Sequence, residues 1–476
     1  MMRAWPGLLL ALVGCHVPVI VAPLRYAETP AAATDASREP RPALAPVHEL
    51  LDEVARDTTL PNGLRVVFVP RHDVPVVALR LVITRGAVDV DDTGAIATAQ
   101  MAYFYQRGGS EETYLRTSAQ AGRLGTRIER WDRDDGHQLG VKVGSRSLAA
   151  GLALLADLAI GADLSEEEYS RQTIPWRDRT THLRPIDLAM QRAMLFGTAS
   201  PYGHAGWGRA PIDRAALRTL RAELFQPAHA TLVVVGDAAP AGLDAAITRS
   251  FGAWAPATPI PSVTAEPPYD HGVRIAWRER GGMTETLAAI FFRGPVPLGD
   301  DMDALTLATA VLGAPSSRLF TELREDQGAV YTPDARLLEE RSASWVTFES
   351  LYDPDKLVHG LHTVVDRIHA LRAGVVDEDE IEAGREVLAA VWRGQMATAS
   401  GAAQLYAEAV VMGRSLEQVR AFPERVARLR KADVVRVANL YLTDPAMRVA
   451  VVGGVPDIEV GTLGLGPVRD IKLGGP

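Results

Sequence analysis

Three strand-like segments of this sequence return about two hundred residues later, and that repetition limits the fold more than any other feature. Leu60-Pro-Asn-Gly63-Leu-Arg-Val-Val-Phe-Val69 is a tight turn feeding an apolar run, and Gly272-Val-Arg-Ile-Ala-Trp277 has the same character 209 residues on, counted from Gly63 to Gly272. Val76 to Thr84, ended by Gly86, is matched by Thr286 to Phe292, ended by Gly294. Thr231-Leu-Val-Val-Val-Gly236 is matched by Arg448-Val-Ala-Val-Val-Gly453, 217 residues on, counted from Gly236 to Gly453. Repeats this long are not solenoid units, which run to about 50 residues at most. They imply a duplicated domain. The joint is Pro-rich, from Trp254 to Pro268. The expected division is a first domain at 58–253, a linker at 254–271, a second domain at 272–460 and a tail at 461–476.

Other segments fill in the plan. Thr93 to Arg107 has a helical pattern that Thr93 caps, and Leu148 to Ala159 is a second helix. Leu124 to Arg130 and Asp135 to Val143 read as strands. Glu166 to Phe196 reads as helical at both ends, interrupted at Pro175 and Pro185. Val47 to Arg56 reads as a short helix. Mixed strand and helix order with tight turns predicts an α+β fold: two domains in tandem, each a mostly antiparallel sheet covered by helices.

The N-terminus carries its own signals. Met1-Met-Arg3, a short apolar run and Leu12-Val-Gly-Cys15 describe a secretory signal too short to span a membrane as a stop-transfer helix. Leu-Val-Gly-Cys resembles a bacterial lipobox, and Cys15 is the only cysteine, so lipidation at Cys15 is expected after removal of the signal. A plain signal peptide that happens to contain a cysteine is the alternative. Residues 16–57, rich in Ala, Pro, Thr and Arg in their first part, read as a disordered tether. About 30 such residues reach roughly 30 Å. With His16 rather than aspartate after the cysteine, the expected location is the bacterial cell envelope, facing the periplasm and held at the outer membrane by lipid. The net charge of −9 argues against a nucleic-acid partner.

The most chemically informative stretch is Leu312-Gly-Ala-Pro-Ser-Ser-Arg-Leu-Phe-Thr-Glu-Leu-Arg-Glu-Asp-Gln-Gly-Ala-Val-Tyr331. It reads as a helix capped by Ser316 or Ser317, with Leu319, Phe320 and Leu323 facing a core. Gly328 suits the left-handed position past the helix end, and a strand carrying Tyr331 follows. Arg324 and Tyr331 then flank one corner. By themselves they read as structural, Arg324 pairing with Glu325, Asp326 or a residue elsewhere and Tyr331 standing as a strand aromatic.

Together with the opening Leu60-Pro-Asn-Gly-Leu-Arg-Val turn, Pro75-Val-Val, and Ser200-Pro-Tyr-Gly203, this stretch resembles the pitrilysin/insulinase family of zinc peptidases over about residues 58 to 460. The resemblance implies two homologous halves in a clam-shell arrangement like that of mitochondrial processing peptidase. It implies that Arg324 and Tyr331 bind substrate backbone and help stabilise the oxyanion, as an arginine and a tyrosine do in that family. It also implies a zinc motif, H-x-x-E-H, on the helix after the second strand. The matching helix here, Gly94 to Gly108, contains neither histidine nor glutamate. Its polar Gln100 and Tyr103 are poor zinc ligands. Where a downstream glutamate ligand is implied, Arg171 to Asp178 offers Pro175 and Trp176.

His359 and His362, three apart on a probable helix with His369, read as a solvated face rather than a metal site, and His204 stands alone beside Tyr202. No nucleophile elbow, phosphate loop or dinucleotide fingerprint is present. The resemblance therefore implies a chain inactive alone, with no metal or other cofactor of its own. Zinc is expected only in a partner, an active peptidase subunit of the same family, with this chain completing a chamber around an extended peptide. The alternative is a scaffold or peptide-binding lipoprotein with no role in proteolysis, as in the core subunits of the respiratory bc1 complex. A third reading, an active peptidase using His359 and His362, places the metal outside the cleft that family uses.

Overall fold

The computed structural model describes residues 56–90, 111–161, 183–197, 200–203, 213–256, 258–262, 274–279, 283–315 and 317–454, with a few isolated positions besides. Cys15, the tether up to residue 55, the Gly94–Gly108 segment, the Arg171–Asp178 segment and His204 lie outside the described residues, as does the expected helix from Val47 up to its last residue, Arg56. Arg56 and Asp57, expected to end the tether, are instead ordered in a strand by pairing with the chain at Phe68 and Val67.

The first sheet holds β1 (Arg56–Thr59), β2 (Arg65–Pro70), β3 (Val76–Ile83), β4 (Glu129–Arg133), β5 (Gly136–Gly144) and β6 (Ala230–Gly236), in the order β1-β2-β6-β3-β5-β4. The second holds β7 (Ile275–Glu279), β8 (Thr286–Arg293), β9 (Asp334–Glu340), β10 (Ala343–Tyr352), β11 (Arg448–Gly453) and β12 (Val468–Arg469), in the order β12-β7-β11-β8-β10-β9. The two orders are the same order. β2 and β6 are parallel, as are β7 and β11. The steps from β6 through β3 and β5 to β4 are antiparallel, as are those from β11 through β8 and β10 to β9. Only the outer strands differ: β1 runs antiparallel to β2, whereas β12 runs parallel to β7.

The helices are α1 (Glu111–Arg123), α2 (Leu148–Ala159), α3 (Leu183–Phe196), α4 (Arg214–Leu224) and α5 (Pro240–Phe251), followed by α6 (Asp301–Gly313). Next, α7 begins as an α-helical turn at Arg318–Phe320 and continues as a π-helix over Thr321–Asp326. The last are α8 (Leu357–Arg372), α9 (Glu378–Met396), α10 (Ala399–Val411), α11 (Leu416–Arg420), α12 (Phe422–Arg428) and α13 (Lys431–Tyr441). The α+β class is as expected. Pro185 does not interrupt α3: it lies in the first turn, where no intrahelical acceptor awaits its missing N–H. The strand expected from Leu124 begins only at Glu129, where pairing with β5 starts, and Arg56 opens a strand rather than ending a helix.

Each sheet is buried on both faces, which is why its strands read as continuous apolar runs rather than alternating ones. On one face Val66, Phe68, Leu79, Leu81, Leu139 and Val234 pack on helices of their own half, including Leu152 and Leu155 of α2 and Leu217 of α4. The residues between them point the other way. Val67, Val69, Ala78, Val82, Val233 and Val235 pack on Ala403, Tyr406, Ala407 and Val410 of α10, a helix from the C-terminal half. The exchange is mutual. Ala276, Ala289, Phe291, Trp345, Ala450 and Val452 of the second sheet pack on Ala189, Met190, Ala193 and Phe196 of α3, from the N-terminal half. Each half thus supplies the helix that covers the other's sheet.

Candidate functional site

The corner carrying Arg324 and Tyr331 is built from its start. The Ser317 hydroxyl accepts from the Phe320 N–H at 3.1 Å and caps α7. Arg318 anchors the first turn to Asp377 and Glu380, each at 2.8 Å. Leu319 and Leu323 face the core as expected, 4% and 1% exposed. Phe320 does not; it is half-buried and turns its ring to Arg324.

The second part of α7 is wound wide. Gln327 N–H donates to the Glu322 carbonyl at 3.0 Å, a bond spanning five residues, and Ala329 N–H donates to the Leu323 carbonyl at 2.8 Å. Such π-turns occur often at functional sites. Gly328 closes the helix at φ +57°, the left-handed position its type predicts. Val330 then makes an isolated bridge to Tyr352 at the end of β10. The Asp353 N–H bonds the Ala329 carbonyl at 3.0 Å, and the Ser350 hydroxyl the Thr332 carbonyl at 3.4 Å. Tyr331 is therefore not on a strand. It stands in a bend between that bridge and the start of β9, tied on both sides, with its ring 75% exposed.

Arg324 connects the two sides. Its guanidinium carbon lies 4.5 Å from the centre of the Tyr331 ring and 5.2 Å from that of Phe320. Such cation–π contacts contribute about 0.5–1 kcal/mol each where solvent reaches them. No hydrogen bond or ion pair to Arg324 is found among the described residues, so Glu325 and Asp326 do not hold it. None of its five N–H donors is engaged by a described residue. An exposed phenol and an unengaged cation side by side form a donor cluster for carbonyl or carboxylate oxygen.

Two other features of the sequence are located. His359, His362 and His369 lie exposed on α8, and His369 bonds Asp444 at 2.7 Å. Among the described residues no group of three or more His, Cys, Asp or Glu is placed to hold a metal ion. The eleven histidines of the chain include no two that are four apart, so neither H-x-x-E-H nor H-E-x-x-H exists anywhere in it. The donor set does not fit the zinc site that the family resemblance implies.

A cavity of about 790 Å³ involves neither Arg324 nor Tyr331. It lies between α6, α9, α10 and β9, lined by Met302, Leu337, Leu388, Trp392, Leu405 and Phe422. Two of its carboxylates are paired, Glu339 with Arg414 and Asp303 with Arg425, both at 2.6 Å.

Sequence reasoning missed a polar junction where the two halves meet. The turn between β4 and β5 touches the turn between β9 and β10. The Tyr202 hydroxyl donates to Asp135 at 2.9 Å and accepts from the Ser342 N–H at 3.2 Å. Arg341 bonds the Thr84 and Asp135 carbonyls at 3.0 and 2.6 Å, Asp89 at 3.2 Å, and Ser262. Arg192 pairs with Asp134 and donates to the Tyr202 carbonyl at 2.8 Å. Arg133 pairs with Glu408 of α10 at 2.6 Å and donates to the Glu339 carbonyl at 2.8 Å. Burial pushes the Glu340 carboxyl up to about 8, Asp135 adding to the rise while Arg133 and Arg192 oppose it. The same burial raises the Tyr202 hydroxyl. The Ser200-Pro-Tyr-Gly203 match was the one sequence signal for this junction, and it did not name the partners.

Known proteins share this architecture. Residues 211–388, which include Arg324 and Tyr331, match a family model described as the peptidase M16 inactive domain. The resemblance to pitrilysin/insulinase peptidases drawn from the sequence is borne out there. No curated protein matches the chain. Among solved structures, a protease from Helicobacter pylori is similar at TM-score 0.77 and 18% identity, over 84% of this chain and 100% of that one. A peptidase M16 inactive domain from Pseudomonas fluorescens is similar at TM-score 0.75 and 18% identity, over 84% and 98%. The first half of the periplasmic protease PqqL from Escherichia coli is similar at TM-score 0.65 and 13% identity, over 87% and 96%. At these identities the likeness is one of fold.

Proposed function

We propose that this peptidase homologue is a non-catalytic, substrate-binding subunit that holds an extended peptide for an active zinc peptidase partner. One observation carries the reading: Arg324 is held over the exposed Tyr331 ring with its donors engaged by no described residue, in a chain that contains no zinc motif. Arg324 would donate to backbone carbonyls of the peptide, and the Tyr331 hydroxyl to the same or the next one. No described strand pairs with the outer edges of β4 and β9, where apart from the Glu339 carbonyl held by Arg133 a peptide would add as a further strand, the mode of binding that asks least of its side chains. Support also comes from the family match over residues 211–388 and from the fold shared with the first half of a periplasmic protease.

The test uses the full chain and a fluorescein-labelled casein digest, followed by anisotropy and by product analysis. The chain alone is expected to bind the peptides and cleave none. Arg324→Ala and Tyr331→Phe are each expected to weaken binding by roughly tenfold, the worth of about 1.4 kcal/mol of hydrogen bonding. Cleavage by the pure chain that a chelator abolishes would sink the non-catalytic reading. Unchanged binding in both variants would leave the scaffold reading instead.

A further inference from the structure

We infer that the two halves of the molecule are latched together by shared protons, held in two buried carboxyl pairs that each straddle the seam between them. In the first pair Asp187 on α3 meets Glu349 on β10; the two are 0% and 5% exposed and are hydrogen-bond neighbours. In the second, Asp135 in the β4–β5 turn meets Glu340 at the end of β9, 0% and 8% exposed, again as hydrogen-bond neighbours. In both, one acid comes from the N-terminal half and the other from the C-terminal half.

Two ionised carboxylates only accept hydrogen bonds, so they cannot bond each other. Asp187 Oδ1 and Glu340 Oε2 are buried, and no donor among the described residues reaches either. A proton shared within each pair supplies that donor. It also removes the repulsion of two like charges out of water.

The surrounding cations do not cancel the need. Arg336 on β9 bonds Glu349 at 3.0 Å but is shared with Asp334 at 2.9 Å, and on α3 itself Gln191 donates to Asp187 at 2.6 Å. Around Glu340 stand Arg133 on β4, Arg192 on α3, Tyr202 and Arg341. Arg133 is committed to Glu408, Arg192 to Asp134, and Arg341 to Asp89 and Asp135, with Arg85 beyond them.

The sign of the effect follows from burial. Asp187 is held well above its ordinary range, mainly by desolvation and then by Glu349. Glu340 sits at about 8 for the same first reason, with Asp135 next. A value raised by folding stabilises the fold fully below the unfolded value, and the contribution drains away as pH climbs to the folded value. For Glu340 that window runs from 4.5 to about 8; for Asp187 it opens at 3.8. Acid tightens the seam and alkali loosens it.

Urea unfolding of the full chain between roughly pH 5 and pH 8 tests this. Each latched proton makes the unfolding constant rise by about tenfold per pH unit. E340Q and D187N put a neutral amide in place of the acid. Each is expected to flatten the dependence by up to about tenfold per unit, and the double variant by up to about a hundredfold. Slopes equal to that of the native sequence in both variants would overturn the latch. Should either variant not fold, the infrared carbonyl region of the native chain decides. A protonated-carboxyl band at neutral pH that fades above about pH 8 is expected, and its absence overturns the inference.

Discussion

At the scale of single residues, two tyrosines do opposite work. Tyr331 is exposed with Arg324 over its ring, whereas Tyr202 is 1% exposed and holds two turns together through one hydroxyl. Replacing Tyr202 with phenylalanine keeps the ring and leaves the Ser342 N–H and one Asp135 oxygen short of a partner. The expected cost is about 2–3 kcal/mol, the penalty for buried polar groups left unsatisfied. A shift in urea midpoint worth less than about 0.5 kcal/mol would show that water replaces the hydroxyl. Arg324 and Tyr331 were legible in the sequence because they stand seven positions apart across a glycine, Gly328, so local geometry brings them together. Tyr202 was not, because its partners lie 67 and 140 residues away along the chain.

At the scale of elements, the corner after α7 is the best-specified piece of the molecule. A serine cap, two buried leucines and a left-handed glycine all act within a dozen residues. Gly328→Ala places a Cβ at φ +57°, a strain of roughly 1–2 kcal/mol for an L-residue. Little stands near that Cβ: among the described residues beyond its chain neighbours, the Lys356 Nζ at 3.5 Å is the one heavy atom within 4 Å. The strain is therefore relieved by shifting the corner rather than by unfolding the core. Peptide binding is expected to fall several-fold while the unfolding midpoint moves only by about the strain itself. Binding unchanged at the same midpoint shift would separate Tyr331 from the ligand. Two features of this region escaped the sequence pattern. Helical periodicity does not report a switch from four- to five-residue hydrogen bonds, and the aromatic Tyr331 looks like a strand residue until its neighbour's bridge to Tyr352 is seen.

At the scale of the whole molecule, the exchange of α3 and α10 makes the duplicated halves interdependent. Without α10 the first sheet exposes Val67, Val69, Ala78, Val82, Val233 and Val235. Each valine is worth about 1.5–3 kcal/mol when buried. An exposed apolar face of that kind drives association. Residues 56–262 expressed alone are therefore expected to be insoluble, and co-expression with residues 272–476 to restore a soluble complex. A soluble, cooperatively unfolding N-terminal fragment would show that α10 is dispensable. The proton-sharing pairs lie along these same seams, so separation of the halves and loss of the latch are expected together.

What the sequence alone determined was local or periodic: the recurring strands, the capped helix with its glycine stop, and the missing zinc motif. Turn residues, apolar runs and ligand spacing act over a few positions, so they survive being read without a structure. The tertiary structure decided which apolar surfaces meet. Both faces of each sheet are hydrophobic, and nothing in a hydrophobic run says whether the covering helix comes from the same half or the other. Only packing assigned α3 to the second sheet and α10 to the first, and that assignment brought Asp135, Asp187, Tyr202, Glu340 and Glu349 into two buried seams.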